Sequence, residues 1–324
     1  MNVLVTGATG FVGSHTVAAL AAAGHHVRVL ARNPARVPES LDPFGVTVDV
    51  VEGDMTDPVA VAAAVDGCDV VVHAAAQIGV GVGDSGTPGD VNVAGVRTVI
   101  GAAVAAGVQR VVYTSSVTIH VPTNEPVITL DSPLATPLSS YGASKVECEE
   151  LVRAWQQEGQ PITSLVLGGV YGPQARELTN SFTAVLSALE MMMVVPPSGT
   201  WVIDVRDVAA MVVKIVEAER PPQRVLAGGT FLSWEEWVAT LEKVVGRDIP
   251  RLVMTAEELM DMARQLEAAD DDGGMLLNEE SAVVMLSGVP TDEQTSRDAV
   301  GITLRPVAET LADVVAYLEA IGRI

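Results

Sequence analysis

Tyr141-Gly142-Ala143-Ser144-Lys145 sets a phenol and an ammonium four residues apart. On a helix that spacing brings both to one face, where the ammonium favours phenolate over phenol. A phenol held this way can give a proton to a carbonyl oxygen or take one from an alcohol. Ser116 ends the run Arg110-Val111-Val112-Tyr113-Thr114-Ser115-Ser116 and would hydrogen-bond the same oxygen, helping to stabilise its developing charge. A YxxxK pattern alone arises often by chance, so its weight depends on its surroundings.

The chain opens with a short apolar strand that runs into Thr6-Gly7-Ala8-Thr9-Gly10-Phe11-Val12-Gly13. These glycines have the spacing of a dinucleotide cradle, and a helix follows at once. Gly7 permits the tight turn, Gly10 lets the backbone approach a pyrophosphate, and Gly13 lets the helix pack on the strand. Thr9, Phe11 and Val12 complete the expected contact stretch, and the helix start offers unpaired N–H groups. The second strand ends at Ala31-Arg32, where an acidic residue would bind the ribose hydroxyls of NAD(H). Arg32, assisted by Arg36, suits a 2′-phosphate instead, so NADP(H) is expected over NAD(H), with NAD(H) possible and a plain surface arginine as the alternative. Asp54 and Met55 follow the third strand and are expected at the adenine; Asp54 as a helix N-cap is the competing reading. Ala74, Ala75 and Ala76 leave room for the cofactor to cross the sheet. His73 reads as a hydrogen-bonded core residue, and Asn92 either anchors that strand end or caps a helix. Thr114 is expected at the cofactor, although Thr114 and Ser115 also suit strand-end hydroxyls that bond the backbone.

The elements that must position these groups alternate along the chain. Short Val-rich runs near 2–6, 27–31, 47–51, 69–74, 109–114 and 162–168 predict strands. Ala-rich runs near 11–23, 58–65, 90–106 and 141–158 predict helices between most of them. This alternation predicts an α/β fold: a Rossmann-type, doubly wound parallel sheet. Residues 1–173 are expected to form the dinucleotide-binding domain, and about 201–218 to return to it. The remainder of 174–324 is expected to form a smaller, irregular substrate lobe. In that lobe the pattern predicts a Met-rich helix through Glu190-Met191-Met192-Met193, a turn at Pro196-Pro197-Ser198-Gly199 and a strand through Trp201–Val205. Helices are predicted near 205–218, 233–246 and 305–321, with Ser233 and Glu236 forming a capping box. Met191 to Val195 would suit either an apolar pocket or, more commonly, core packing. Trp201, Trp234 and Trp237 read as packed residues with satisfied indole N–H groups. Residues 266–281 read as a solvated loop whose Asp270-Asp271-Asp272-Gly273-Gly274 lacks calcium-loop spacing.

With 324 residues, 19 Lys and Arg, and 41 Asp and Glu, the net charge is −22. No basic cluster interrupts that field, which argues against nucleic acid and anionic membranes and for a small-molecule substrate. Cys68 and Cys148 show no metal-ligand spacing, so no metal is expected and a reducing compartment fits. The start of the chain shows no leader pattern, and a cytoplasmic protein is expected.

Taken together, Val3 to Gly13, Gly53-Asp54, His73 to Ala76, Thr114 to Ser116, Tyr141 to Lys145, Val170 to Pro173 and Trp201 to Ala209 resemble the extended short-chain dehydrogenase/reductases. These belong to the NAD(P)-dependent epimerase/dehydratase superfamily. The resemblance implies that Ser116, Tyr141 and Lys145 are the catalytic triad, with Lys145 also bonding the nicotinamide ribose. Val117-Thr118-Ile119 stands where 4,6-dehydratases carry an acidic pair. Gly168-Gly169 and Thr200 replace the asparagine and arginine of nucleotide-sugar epimerases. The better resemblance is to dihydroflavonol-4-reductase-like and hydroxysteroid-dehydrogenase-like members, which implies a reductase on apolar carbonyls. A nucleotide-sugar epimerase with tightly bound NAD is the alternative, and a non-catalytic dinucleotide sensor a second one. Tyr171, in the loop after the sixth strand at the carboxyl edge of the sheet, either nears the nicotinamide or closes the crevice; by resemblance, a homodimer through the helices containing Val96 to Val104 and Tyr141 to Trp155 is expected.

Overall fold

The computed structural model describes residues 1–77, 88–137, 139–269 and 277–324. In chain order the elements begin β1 (Asn2–Thr6), α1 (Phe11–Ala22), β2 (His26–Ala31), α2 (Arg36–Leu41), β3 (Asp49–Glu52), α3 (Pro58–Val65), β4 (Val70–His73) and α4 (Pro88–Ala106). Next come β5 (Arg110–Ser116), α5 (Ser140–Gln157), β6 (Ile162–Leu167), β7 (Val170–Tyr171), α6 (Asn180–Glu190), β8 (Met193–Val195), β9 (Gly199–Asp204) and α7 (Val205–Glu217). The chain closes with β10 (Arg224–Ala227), β11 (Thr230–Ser233), α8 (Trp234–Val245), β12 (Arg251–Val253), α9 (Ala256–Ala269), α10 (Glu279–Leu286), α11 (Gln294–Val300) and α12 (Val307–Ala320).

Seven strands form one parallel sheet in the order β10-β6-β5-β4-β1-β2-β3. Every residue of β4 and β6 is buried, as a sheet covered on both faces requires. Strand order reverses between β1 and β4, so the loops after these two strands border the crevice where open α/β sheets bind ligands. Alternation along β5 sends Val112 to the face covered by α1 and α7, and Val111 and Tyr113 to the face covered by α4 and α5. The expected doubly wound sheet is therefore present, with β10 as an added seventh strand. Four residues just after Pro221-Pro222 gave too short a run to read as a strand.

A second core packs Phe182, Trp237, Leu241, Leu311, Val314 and Leu318 together with Phe11 of α1 and Tyr171 of β7. The lobe joins α7 through buried charge: Asp207 pairs with Arg305 at the head of α12, and Thr310 donates to Asp204 (2.9 Å). Asp204 in turn caps α7 by accepting from the Arg206 amide at 2.8 Å. The capping box of Ser233 and Glu236 starts α8 as its sequence predicts.

The Met-rich helix is corrected. Helix α6 stops at Glu190, and Met191 (73% exposed) and Met192 (46%) form the connection to β8. Met193 is buried in the cluster with Val195 and Trp237, on a short strand whose partner, β12, lies too far along the chain for local periodicity to reveal. Residues 266–269 and 279–281 are likewise helical, in α9 and α10, where a loop was expected. Asp270 to Gly274 lie outside the described residues. No described helix is long and apolar enough to cross a membrane.

Candidate active site

The cradle is built by exclusion of side-chain volume. Gly7 has φ +76°, and a Cβ there would fall 2.6 Å from the Ala75 amide nitrogen and 2.7 Å from the Ala74 carbonyl. A Cβ on Gly13 would press into the Gly7 carbonyl group. Gly10 bonds back to Gly7 (2.9 Å) and precedes α1 with no side-chain cap, which leaves the first-turn amides of Phe11, Val12 and Gly13 to a ligand. The loop from Gly7 to Gly13, including Thr9, fits the pyrophosphate of a dinucleotide. Ala74, Ala75 and Ala76 line the opposite lip; the Ala75 amide donates to Thr6 Oγ1 (3.4 Å). Asn92 holds this lip by accepting from the Gln77 amide (2.7 Å) and donating to its carbonyl (3.0 Å).

Arg32 follows β2, is exposed, and lies 3.8 Å from Asp54. Asp54 accepts from the Thr56 amide (2.8 Å) and hydroxyl (2.7 Å) in a turn, whereas Asp57 is the residue that caps α3. Met55 packs on α4 so closely that a Cβ on Gly95 would sit 2.7 Å from its sulfur. Arg36 pairs at 3.8 Å with Glu177.

Helix α5 starts at Ser140 because Ser139 accepts from the Gly142 amide (2.9 Å), which puts Tyr141 in the first turn. Lys145 follows one turn later and is only 4% exposed. Its ammonium donates to the Thr114 carbonyl (3.2 Å) and lies 5.3 Å from the Tyr113 ring centroid and 5.9 Å from that of Tyr141. The structure thus unites Tyr141, Lys145 and the end of β5. The Thr114 hydroxyl itself donates to the His73 carbonyl (3.3 Å), so Thr114 meets Lys145 through its backbone. Ser116 makes its hydrogen bonds with Thr118, accepting from the amide (3.3 Å) and the hydroxyl (3.0 Å). Among the described residues it makes none with Tyr141 or Lys145.

His73 is a core residue, as read: Nδ1 is 2.7 Å from Thr6 Oγ1. Burial, reinforced by the charge of Lys145, pushes its pKa down to about 3 and keeps the ring neutral. Tyr171 packs on Trp237, with ring centroids 6.5 Å apart, and burial pushes its phenol up to about 12. The Trp234 indole donates to the Met285 carbonyl (3.3 Å), and that of Trp237 faces the Tyr171 phenol. Trp201 buries its indole without a partner among the described residues, which corrects the expectation for it.

Four groups around the site escaped the sequence reading. Tyr113 faces Lys145, Thr118 orients Ser116, and the Thr114 carbonyl holds the ammonium. Glu149, fully buried one turn beyond Lys145, accepts from Ser164 (2.6 Å) and Arg153 (3.1 Å). Period-two alternation along β5 was the available signal for Tyr113. The hydrogen bonds of Thr118 and Glu149 carry no local signature.

The model of the NAD dependent epimerase/dehydratase family matches residues 3–228. Sterol demethylase protein B of Methylococcus capsulatus is 28% identical over 334 residues, spanning 100% of both chains. Cinnamoyl-CoA reductase 1 of Oryza sativa subsp. japonica is 30% identical over 278 residues, 79% of this chain and 78% of that one. The solved structure of gox2253 superposes with a TM-score of 0.83 over 99% of each chain at 24% identity, a likeness of fold. With the glycine cradle, the parallel sheet and a match over most of its length, the chain belongs to the NAD dependent epimerase/dehydratase family.

Proposed function

We propose that the protein is an NADP(H)-preferring oxidoreductase acting on a carbonyl or secondary alcohol of a small, apolar substrate. The observation that carries this reading is the buried Lys145 ammonium, bonded to the Thr114 carbonyl beside the Tyr141 ring, at the sheet edge where the glycine cradle opens. A bound nicotinamide dinucleotide would supply the hydride donor or acceptor. Gly7 to Gly13 would hold its pyrophosphate, Arg32 its 2′-phosphate, and Asp54 and Met55 its adenine. Tyr141 gives a proton to the substrate oxygen in reduction and takes it back in oxidation. Lys145 favours the phenolate. Ser116 already accepts two hydrogen bonds from Thr118, so its own hydrogen is free for the substrate oxygen.

The preference for NADP(H) is supported by Arg32, whose 3.8 Å contact with Asp54 is an exposed ion pair of about 1 kcal/mol or less. A 2′-phosphate can displace it. An apolar substrate is supported by relatives whose names carry a sterol and a cinnamoyl group. The lobe within 174–324 is where we place that substrate.

Titration of wild type and Arg32→Ala with NADPH and NADH, followed by turnover of a panel of ketones and aldehydes, tests the reading. Arg32→Ala is expected to weaken NADPH about tenfold or more and to leave NADH unchanged. Equal affinity for both cofactors in both proteins would remove the preference. The family also contains epimerases; cofactor retained at one per chain through purification would favour that chemistry, and free exchange the reductase.

A further inference from the structure

We propose that the aromatic ring of Tyr113 is a positioning element for Lys145, a π face in β5 that holds the ammonium next to Tyr141, and that the Tyr113 hydroxyl has no part in this. The inference rests on the reading of Tyr141 and Lys145 as the acid–base pair.

A buried ammonium loses hydration, and burial favours the neutral amine. Three N–H groups need partners, and the Thr114 carbonyl takes one. Among the described residues, the remaining surroundings offer little negative charge. From β4, His73 faces Lys145 and is neutral. From β5 come Tyr113 and Thr114, and burial raises the Tyr113 phenol well above its ordinary value, so it too is neutral. From α5 itself come Tyr141, Cys148 and Glu149. Burial raises the Cys148 thiol, and the Glu149 carboxylate is already engaged by Ser164 and Arg153. What remains is aromatic: the Tyr113 face at 5.3 Å and the Tyr141 face at 5.9 Å, both within the range of a desolvated cation–π contact.

Tyr113 is fixed for this task. It is 2% exposed, and His73 stacks on it at 6.0 Å with 22° between the planes, itself held by Thr6. The Tyr113 hydroxyl is buried against the Cys148 thiol, on the side of the residue away from its ring face, and the thiol is a weak partner. Phenylalanine would present the same face to Lys145. An ammonium no longer held at this face would lie farther from Tyr141 and stabilise its phenolate less, so oxidation of an alcohol would require a higher pH.

The chain contains three lysines, Lys145, Lys214 and Lys243, and the last two are exposed, so spectra of protein labelled with ε-¹³C-lysine resolve the site with internal references. The ε-methylene protons of Lys145 are expected upfield of the other two through ring currents. Tyr113→Phe should keep that shift; Tyr113→Leu should reduce it. In oxidation of 1-phenylethanol, or of the fastest member of a panel of secondary alcohols, the rising limb of the kcat/KM profile should move up by about half to one pH unit in Tyr113→Leu and stay in place in Tyr113→Phe. Site-specific 3,4,5-trifluorophenylalanine at 113 keeps the shape and cancels the π charge. It should move the limb as leucine does, and it serves if Tyr113→Leu does not fold. Phenylalanine behaving as leucine, trifluorophenylalanine behaving as phenylalanine, or an unshifted Lys145 signal in wild type would overturn the proposal. If no alcohol is oxidised while the spectra behave as described, the proposed reaction fails and the positioning role stands.

Discussion

Gly13→Ala separates the cradle account from simple helix propensity, because the two predict opposite signs. Gly13 lies in the first turn of α1 with an ordinary backbone conformation, and alanine alone would stabilise a helix there by about 1 kcal/mol. The new Cβ, however, would lie against the Gly7 carbonyl, 2.5 Å from its carbon and 3.0 Å from Ala8 Cα. Carbon contacts settle near 3.5 Å, so the helix start must retreat by roughly 1 Å. All these neighbours are backbone, and no flexible side chain can yield. Overpacking costs about 1 to 3 kcal/mol, and with the propensity gain subtracted a net loss of up to roughly 2 kcal/mol is expected, with no gain. The same retreat moves the first-turn amides away from a bound pyrophosphate, which should weaken NADPH about tenfold or more. Gly101→Ala is the control: it lies in α4 with nothing within 4 Å, and it should gain about 0.5 to 1 kcal/mol. Urea unfolding and fluorescence titration with NADPH read both effects. A Gly13→Ala protein that gains stability like Gly101→Ala and binds NADPH normally would refute the reasoning.

Thr118→Val removes the hydroxyl that donates to Ser116 at 3.0 Å and should lower kcat about 2- to 10-fold at unchanged NADPH affinity; weaker NADPH binding instead would place Thr118 in a different role. Glu293 is 4% exposed, and burial pushes its carboxyl up from 4.5 to about 7 against the pull of Arg297 and the Gly229 amide. The folded state then binds the proton more tightly, so stability falls as pH rises through the window from 4.5 to about 7, by on the order of 2 to 4 kcal/mol. Glu293→Gln keeps an acceptor for the Gly229 amide. Its stability relative to wild type should rise between pH 5 and pH 8 in urea unfolding, and a pH-independent difference would contradict the assignment.

Where an amino-acid type is imposed by its immediate neighbours, the sequence was readable. Gly7 and Gly13 must be glycine because backbone occupies the space a side chain needs, and their spacing survives as a pattern. Tyr141 and Lys145 are one helical turn apart, so their shared face follows from local geometry alone. The capping box at Ser233 is local as well. What could not be read depends on partners far along the chain. Met193 lies on a strand that forms against β12, and Tyr113 acquires meaning only when α5 brings Lys145 over its ring. Arg224 to Ala227 become a strand because β6 offers an open edge. Glu293 shows no sequence sign of burial, since its amide partner, Gly229, lies in the turn after β10.

The central claim is that Tyr141 moves the proton while hydride passes between nicotinamide and carbonyl carbon. Single-turnover reduction of the best ketone from the panel, with NADPH deuterated at the nicotinamide C4, measures both at once in wild type and Tyr141→Phe. Deuterium is expected on the product carbinol carbon of wild type, with Tyr141→Phe slower by about 10²-fold or more at unchanged NADPH affinity. Product without deuterium, or a Tyr141→Phe protein that turns over at nearly the wild-type rate, would contradict the account.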